Sequence, residues 1–412
     1  MKNYDVVIVG SGLAGLQCAR LLSSQRQGAK ILLVDRKTDL TKGIHTTGIF
    51  VRKTLEDFNF PPETLGKPVR RVALYSPRLK ALNLSSRHDE FRVGKMGLLY
   101  ESYLQECVKN GVEFSSSTRY VSAEKVSTGC GSGRAERGKV ETHSGAGETI
   151  VNLEKNGESF AVKTKVLVGA DGANSRVAKD LNLDENREFI VGVEEVWTNV
   201  SLKGEPVLHC FLDARLAPGY LAWVTNDGEE VHIGVGGYHA GFIPREALEE
   251  FKAKVVGKIV DLQAARISEK RGGKIPVGGV LKRIACERGL LIGDASGAVS
   301  PLTAGGLDPC LRLSKMAAEL IRERLETGNP QVLLKFSGEL FRARFVSRLW
   351  MRRILAAFSN QFLLEFGFAV LRLPLLKKFA AHVFFGRGSF PDVDLSAQDE
   401  KTKISLAVES TN

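Results

Sequence analysis

Tyr4-Asp5-Val6-Val7-Ile8-Val9-Gly10-Ser11-Gly12-Leu13-Ala14-Gly15 is the stretch that decides the fold. Tyr4–Val9 is an apolar, β-branched run, which predicts a central strand of a parallel sheet. Apolar residues recur at helical spacing over Leu13–Ser24, and Ile31–Val34 predicts the next strand, which ends at Asp35. A strand, a glycine-rich turn, a helix and a second strand that ends in an acid are typical of a βαβ unit that binds a dinucleotide.

The residues of this turn have separate roles in the predicted site. Gly10 permits the tight turn, Gly12 lets the backbone approach a pyrophosphate, and Gly15 lets the helix pack on the strands. Asp35 is expected to accept hydrogen bonds from the adenosine ribose. Leu13 and Ala14 complete the fingerprint and are counted with the predicted cofactor-binding residues.

Residues 293–309 have the composition of a second cofactor contact. They follow the apolar run 289–292, which predicts a buried strand, and lead into a helical pattern over Cys310–Leu325. Asp294 ends the strand and can accept hydrogen bonds from hydroxyl groups. The amides around Gly305, Gly306 and Leu307 come at a helix N-terminus, where partial positive charge stabilises a phosphate or a reduced flavin ring.

The number of nucleotide folds favours FAD over NAD as the cofactor. The chain has no second GxGxxG between a strand and a helix, and Val235-Gly236-Gly237, which comes nearest, lacks the spacing. One dinucleotide fold with a second contact loop at residue 294 suits one long, tightly held cofactor.

Three motifs resemble those of one superfamily. Residues 168–177, Val-Gly-Ala-Asp-Gly-Ala-Asn-Ser-Arg-Val, resemble the Asp-Gly motif of flavoprotein monooxygenases and geranylgeranyl reductases. Gly293-Asp294 resembles their Gly-Asp motif and Gly10–Gly15 their first motif, in the same order and spacing over residues 1–330. The resemblance implies the glutathione-reductase type of FAD fold. The cofactor contacts that it implies are Asp35 and Arg36 beside the adenosine, Arg92 near the pyrophosphate, Val121 on the adenine, Asp171 in the Asp-Gly motif, Asp294 at the ribitol and pyrophosphate, and Gly305, Gly306 and Leu307 at the flavin pyrimidine edge.

Two segments resemble the geranylgeranyl reductases in particular. Residues 301–307 are similar to their Pro-Leu-Thr-Gly-Gly-Gly-Ile segment, and residues 218–224 to their aromatic substrate-domain motif. The aromatic motif departs from the family pattern, since this chain has Tyr-x-x-Trp where the family has Tyr-x-Trp-x-Phe-Pro. By this resemblance Tyr220 and Trp223 face the flavin, with ordinary sheet packing as the alternative. His45 lies where the family's loop approaches the flavin, with a structural role as its alternative.

The resemblance predicts an FAD-dependent oxidoreductase that reduces carbon–carbon double bonds of a hydrophobic isoprenoid or lipid substrate by hydride transfer from flavin N5. A monooxygenase that hydroxylates a hydrophobic or aromatic substrate is the first alternative, because the fold serves both reactions. A non-catalytic, flavin-holding, membrane-associated protein is the second. NAD(P)H or a carrier protein is expected to supply electrons. No side chain is identified as the catalytic acid.

The sequence predicts the α/β class, with a Rossmann-like FAD-binding domain, a substrate domain on a mostly antiparallel sheet, and a helical C-terminal region. Residues 127–147, rich in Gly, Ser and charge, predict an exposed excursion between strands. The predicted segments are 1–68, 93–185 and 273–330 for the FAD-binding domain, 69–92 and 186–272 for the substrate domain, 331–390 for a basic, Phe-rich helical region, and 391–412 for a flexible tail.

Composition limits the compartment and the kinds of partner. The six cysteines among 412 residues are scattered without metal-ligand spacing, which predicts a reducing compartment and no metal site. No signal-peptide pattern precedes the first strand. We therefore expect a cytoplasmic protein, and a peripheral position at the inner face of a membrane stays open. No nucleic-acid partner is expected, since no recognised module accompanies the basic charge.

The formal net charge of +11 is concentrated near the C-terminus. Glu365, Arg372 and Lys377 interrupt the apolar runs there, so no spanning helix is predicted. A basic amphipathic helix that lies on an anionic membrane surface is one interpretation, and a helical subdomain packed over the active site with solvated arginines is the other. The two predicted sides of this helix are Arg342, Arg344, Arg348, Arg352 and Arg353 on one, and Phe341, Phe345, Leu349, Ile354 and Leu355 on the other.

Overall fold

The computed structural model describes residues 1–25, 28–126, 148–238, 241–342, 345–357 and 360–385. The predicted excursion 127–147 and the predicted tail 391–412 lie outside these residues. The strands are β1 (Lys2–Val9), β2 (Ile31–Val34), β3 (Ile49–Val51), β4 (Leu65–Val69), β5 (Arg71–Tyr75), β6 (Ala81–Ser85), β7 (Phe91–Gly94), β8 (Glu113–Ser115), β9 (Thr118–Lys125), β10 (Thr149–Lys155), β11 (Glu158–Gly169), β12 (Phe189–Thr198), β13 (Val207–Phe211), β14 (Ala222–Asn226), β15 (Val231–Tyr238), β16 (Arg266–Pro276), β17 (Ala285–Cys286) and β18 (Gly289–Leu291).

The helices alternate with these strands and then dominate the C-terminal part. The α-helices are α1 (Leu13–Gln25), α2 (Arg52–Asp57), α3 (Met96–Lys109), α4 (Arg176–Asp180), α5 (Pro244–Lys254), α6 (Leu307–Thr327), α7 (Gly338–Arg342), α8 (Val346–Ala357), α9 (Gln361–Leu371) and α10 (Pro374–Phe385). Short 3-10 helices cover Pro62–Thr64, Val256–Lys258, Gly293–Ser296 and Pro330–Lys335.

The first sheet contains the predicted βαβ unit. Its strand order is β17-β18-β11-β1-β2-β8, and β9 and β10 join it through β11. β1 pairs in parallel with β2 and β11, and β18 pairs in parallel with β11. Val6, Val7 and Ile8 in β1 are fully buried, as expected for a central strand that is covered on both faces. The predicted α/β class, the strand at Tyr4–Val9 and the helix that follows it are confirmed.

The second sheet is mostly antiparallel, in the order β16-β12-β15-β14-β13-β5-β6. One of its faces packs on α5, where Phe211, Ile233 and Phe251 are buried together. β5 and β6 come from the predicted segment 69–92, whereas β16 continues past residue 272 to Pro276. The division of the chain into domains at the stated residues stays a prediction. A third, small sheet has the order β3-β7-β4.

The opposite face of the second sheet carries the predicted substrate residues. Glu194 pairs with Gly234 and Gly234 with Trp223, and residues directly opposite each other in a sheet share a face. Cys210 pairs with both Trp223 and Leu74, so the same face extends across β13 to β5. There it meets the C-terminal helices α9 and α10, whose buried residues join the same apolar cluster.

The arginines predicted to line one side of a single helix are divided by the structure. Arg342 in α7 donates to Val280 O, Arg348 in α8 donates to Ser300 Oγ, and Arg352 is buried. Arg353 is exposed, and Arg344 lies outside the described residues. The expectation of one solvated basic face is therefore wrong for Arg342, Arg348 and Arg352. The helical spacing of the arginines does not reveal that neighbouring loops offer them carbonyl and hydroxyl acceptors.

The apolar side of the predicted helix is also divided. Phe341 and Phe345 are fully buried, whereas Ile354 is 55% exposed. In the described ranges, none of the helices combines the length and the hydrophobicity that crossing a lipid bilayer requires.

Arg352 and Arg353 form a matched pair for testing this arrangement. Arg352 donates to Tyr238 Oη at 2.5 Å, to Glu188 Oε2 at 3.0 Å and to the carbonyl of Val277. We expect Arg352→Ala to lower the free energy of unfolding by about 2–3 kcal/mol, because a buried acceptor loses a charged donor. Among the described residues, Arg353 has one such contact, its stacking on the exposed Trp350 ring. Arg353→Ala should cost less than about 1 kcal/mol, and equal losses in urea unfolding would contradict this assignment.

Candidate cofactor and substrate site

The turn between β1 and α1 leaves an open space above one of its glycines. A Cβ on Gly10, whose φ is +103°, would lie 2.2 Å from Ala170 O, and a Cβ on Gly15 would lie 1.9 Å from Gly10 O. A Cβ on Gly12 would meet no atom within 4 Å. Gly10 and Gly15 are thus required by packing. The open approach at Gly12 fits a pyrophosphate that lies against the backbone.

Three predicted motifs come together around this turn. Gly10 touches the backbone of Ala170, which precedes Asp171. Gly293 has a φ of +60°, and a Cβ there would lie 2.8 Å from the Cβ of Ala14. Leu13 and Ala14 are buried at the start of α1. The glycine-rich turn, the Asp-Gly motif and the Gly-Asp motif therefore share one region.

Asp35 is held in place by the glycine-rich turn itself. Its Oδ2 accepts from Ser11 N at 2.8 Å and Ser11 Oγ at 2.6 Å, and its Oδ1 accepts from Lys37 N at 2.8 Å. Arg36 beside it is exposed. The sequence interpretation missed this role of Ser11, although a hydroxyl side chain between Gly10 and Gly12 was the available signal.

Asp171 has a structural role at the start of α4. Its Oδ1 accepts from Ser175 Oγ at 2.6 Å, and its Oδ2 accepts from Arg176 N at 2.7 Å and Val177 N at 3.2 Å. Burial raises the pKa of Asp171, and these hydrogen bonds oppose that rise. Both oxygens are engaged within the chain, so its direct contact with a cofactor stays a prediction.

Val121 and Arg92 lie on strands that contain none of the three motifs, β9 and β7. Val121 is 40% exposed on β9, whose first residue, Thr118, donates its N–H to Asp35 O at 2.8 Å. This places the strand of Val121 beside the acid predicted to bind the ribose. Arg92 is half-buried on β7, in the third sheet, with Nη2 3.9 Å from Asp89 Oδ2. The roles of both residues stay predictions.

Asp294 has a different environment from Asp35 and Asp171. It follows β18 in the turn Gly293–Ser296, and its carboxylate makes no hydrogen bond with any described residue. Burial raises the pKa of Asp294 to about 6. Asn186 Nδ2 donates to the carbonyls of Asp294, at 2.8 Å, and Ala173, at 3.1 Å, and so joins two motifs. The unengaged carboxylate fits a cofactor that supplies hydroxyl donors.

The turn before α6 presents uncapped backbone amides. α6 begins at Leu307, and no side chain caps its N-terminus at Gly306. The turn closes on itself through Ser300 N to Gly305 O at 3.0 Å, and Ala304 has a φ of +50°. Such a helix end stabilises negative charge, as predicted for the flavin pyrimidine edge.

The aromatic residues of the second sheet lie against this turn. Tyr220 Oη donates to Thr303 O at 2.8 Å. A Cβ on Gly236 would lie 2.8 Å from the Tyr220 ring, and a Cβ on Gly234 would lie 2.2 Å from the Trp223 ring. The two glycines of β15 thus make room for the two rings. The structure therefore brings the predicted aromatic motif and the predicted flavin turn together.

Glu194 organises this sheet face and was missed by the sequence interpretation. Its Oε2 accepts from Trp223 Nε1 at 2.9 Å and from Thr47 Oγ1, and its Oε1 lies 3.2 Å from His232 Nδ1 and 3.3 Å from Arg271 Nη1. Burial acts to raise the pKa of Glu194, but the hydrogen bond from His232, the charge of Arg271 and the hydrogen bond from Thr47 oppose it, and the pKa is lowered. Two adjacent acids, Glu194 and Glu195, in an otherwise apolar run from Phe189 to Trp197 were the available sequence signal.

The ring of His45 contacts a backbone carbonyl of the second sheet. The side chain is exposed, and Nδ1 lies 2.9 Å from Gly272 O. This contact holds the loop of residues 43–48 against β16, and Thr47 of the same loop reaches Glu194. The contact supports the structural alternative, and a role of His45 toward the substrate stays a prediction.

We expect Asp294→Asn to stabilise the cofactor-free protein at neutral pH while weakening FAD binding. The pKa of Asp294 is raised from its ordinary 3.8 to about 6, so the native state holds the proton more tightly than the unfolded chain. The resulting stability is present below pH 4 and is lost as the pH rises through about 6. The variant should exceed the wild type by about 1–3 kcal/mol at pH 8 and match it at pH 4. Urea unfolding at both pH values measures the difference in stability, and titration with FAD measures the difference in affinity. Equal stability of the wild type and the variant at pH 8 would contradict the prediction.

Comparison with known proteins supports the cofactor and the resemblance. The model of the FAD binding domain family matches residues 3–346. A digeranylgeranylglycerophospholipid reductase from Methanocaldococcus jannaschii is 26% identical over 329 residues, 78% of each chain. A geranylgeranyl bacteriochlorophyll reductase-like protein from Thermoplasma acidophilum has a TM-score of 0.76 at 19% identity, covering 94% of this chain and 96% of its own. A p-nitrophenol 4-monooxygenase from Pseudomonas putida has a TM-score of 0.67 at 14% identity, covering 95% and 100%.

The two solved structures share the fold with this chain. The family match runs through the glycine-rich turn, the Asp171 loop, Asp294 and the turn before α6. The predicted resemblance and the predicted cofactor are thus confirmed. The chain belongs to the FAD binding domain family.

Proposed function

We propose that the protein is an FAD-dependent reductase of carbon–carbon double bonds in an isoprenoid lipid. The hydrogen bond from Tyr220 to Thr303 carries the proposal, because it sets an aromatic sheet face directly against the flavin turn. The relative from M. jannaschii, named as a reductase of digeranylgeranylglycerophospholipid, supports the substrate class.

Bound FAD would supply the two electrons as a hydride to one carbon of the double bond, and water or a side chain would supply the proton to the other carbon. The uncapped amides at Gly306 and Leu307 stabilise negative charge that develops beside them. Tyr220 and Trp223 form a wall against which an apolar chain packs. Burial raises the pKa of Tyr220 far above its ordinary value, so its hydroxyl stays protonated and keeps its hydrogen bond to Thr303. Glu194 fixes the Trp223 ring through Nε1.

The same sheet face continues under the C-terminal helices as an apolar surface. Phe368 of α9 and Ala380 of α10 pack with Leu74 and Cys210 of the second sheet. A small opening between these layers is lined by Tyr220, Leu212 and Leu364, among other residues. We propose that a long hydrocarbon substrate enters along this face with one end at the turn before α6. The opening has a volume of about 10 Å³ and must widen to admit such a chain. We assign the supply of electrons to NAD(P)H or a carrier protein.

Anaerobic reoxidation tests the reaction. FAD-loaded protein is reduced with dithionite, and recovery of the oxidised flavin spectrum is followed after adding digeranylgeranylglycerophospholipid, a saturated phospholipid or air-saturated buffer. We expect the unsaturated lipid alone to reoxidise the flavin quickly. Trp223→Ala should slow that step about tenfold or more without changing FAD content, since a packing wall is lost.

The same experiment separates the alternative functions. Fast reoxidation by air with an inert lipid would favour a monooxygenase, the activity of the structural neighbour from P. putida. Flavin that neither NAD(P)H nor a reduced carrier reduces would indicate a non-catalytic role.

We also propose that the C-terminal helices contact an anionic membrane surface, which gives the protein a peripheral position at the inner face of a membrane. Their outer sides carry exposed, large apolar residues, whereas Leu364, Phe368 and Ala380 face inward. A concentration of exposed, large apolar side chains on one group of helices is typical of an interaction site. We call this surface the apolar patch, and its residues are Val346, Trp350, Ile354, Phe362, Leu363, Phe366, Leu373, Leu375, Leu376 and Phe379.

Basic residues accompany the apolar patch. Arg353, Arg372, Lys377 and Lys378 are exposed on the same helices. Each lysine or arginine near an anionic surface contributes about 1 kcal/mol of attraction, while the apolar side chains enter the headgroup boundary. A membrane at this position also supplies the lipid to the opening beside Leu364.

Vesicle sedimentation tests the membrane contact. We expect the wild type to bind vesicles with phosphatidylglycerol more tightly than pure phosphatidylcholine vesicles, and less tightly at high salt. Replacing both Phe366 and Phe379 by serine should reduce binding about tenfold or more, because buried apolar area is lost. Phe160→Ser is the control, since Phe160 is 40% exposed on β11, outside the patch. Equal binding by the double variant and the control would refute the proposal.

A further inference from the structure

The hairpin between β14 and β15 gathers three residues with metal-ligating side chains. One ligand atom from each of Asp227, Glu230 and His232 lies within 4.8 Å of the other two. Asp227 and His232 are buried, and Glu230 is half-buried, which leaves a path from solvent. Lys67 N donates to Asp227 O at 2.6 Å and so holds the hairpin end against β4.

His232 is the residue that points to a ligand. Its side chain is buried, and Nε2 has no hydrogen-bond partner in the described part of the chain. Nδ1 lies 3.2 Å from Glu194 Oε1. Ionised Glu194 can only accept, so Nδ1 carries the proton. Nε2 of the same neutral ring is then a buried lone pair without a donor, and such an atom is stabilised by a cation.

This arrangement has the form of a metal-ligating histidine supported by a carboxylate. A histidine that binds a metal through one nitrogen usually donates from the other to a carboxylate, which fixes the ring orientation. Glu194 supplies that carboxylate. Because Trp223 and Thr47 also bind Glu194, the position of His232 is linked to the predicted substrate face.

The two acids keep oxygens that the hairpin does not use. Asp227 Oδ1 accepts from Glu229 N at 2.8 Å and Glu230 N at 2.6 Å, which fixes the carboxylate. Glu230 Oε1 accepts from Ser268 Oγ at 3.2 Å. The second oxygen of each has no hydrogen bond to any described residue. The third acid, Glu229, is paired with Lys95 at 2.7 Å and is 70% exposed.

We propose that Asp227, Glu230 and His232 bind a divalent first-row transition-metal ion, with Nε2 of His232 and one oxygen of each carboxylate as ligands. Two carboxylates neutralise the charge of the ion. A mixed set of imidazole and carboxylate ligands suits Mn²⁺, Fe²⁺, Co²⁺ or Zn²⁺, and water completes the coordination. This inference departs from the sequence expectation of no metal site, and it does not depend on the proposed reaction.

Equilibrium dialysis of the FAD-loaded, full-length protein against Zn²⁺ and Mn²⁺ tests this site. We expect one ion per chain and a higher thermal midpoint in its presence. His232→Ala and Asp227→Asn should each weaken binding of the ion about tenfold or more and abolish the rise in the thermal midpoint. Glu229→Gln is the matched control in the same hairpin and should retain both.

Glu230→Gln distinguishes loss of metal binding from a folding defect, because replacing this half-buried side chain leaves no buried charge unpaired. It should weaken binding while the FAD content and the thermal midpoint of the metal-free protein stay unchanged. Absence of stoichiometric binding, retention of affinity in His232→Ala, or an equal loss in Glu229→Gln would each overturn the proposal.

Discussion

Close backbone contact at the β1–α1 turn is the constraint on which the rest of the structure depends. Side chains are excluded at Gly10 and Gly15 because their Cβ atoms would overlap Ala170 O and Gly10 O. At Gly293, a Cβ would overlap the Cβ of Ala14. The backbone is therefore closely packed where β1, α1 and the ends of β11 and β18 meet. Because Asp171 follows β11 and Asp294 follows β18, this packing places both acids in one region.

Three buried or half-buried acids in this molecule show how environment separates structural from binding roles. Asp171 uses both oxygens to start α4, and Glu194 is surrounded by Trp223, Thr47, His232 and Arg271. Both carboxylates are compensated within the chain. Asp294 lacks such partners, and burial raises its pKa to about 6. Burial of this carboxylate without partners destabilises the folded chain at neutral pH, at the position where the cofactor's hydroxyls are expected. Binding sites commonly contain groups with such shifted pKa values.

The C-terminal helices connect the turn before α6, the second sheet and the outer surface. Arg348 of α8 donates to Ser300 in that turn, and Arg352 donates to Tyr238 at the end of β15. α9 and α10 cover the part of the second sheet around Leu74 and Cys210. The half-buried Arg348 and the buried Arg352 thus hold α8 against this turn and the second sheet. Its outer side is left to apolar residues, an arrangement that the proposed delivery of a lipid from a membrane requires.

The sequence alone determined the βαβ unit, the FAD cofactor and the α/β class, because these depend on local patterns. Glycines at set spacing, β-branched runs and a helix start act within a few residues of one another. Tertiary structure alone decided that Arg352 is buried while Arg353 is exposed. It also decided that Asp171 accepts from the first amides of α4, and that Glu194 joins Thr47, Trp223 and His232. These outcomes depend on hydrogen-bond partners that are distant in the chain, and residue spacing carries no information about which partners the fold brings within reach.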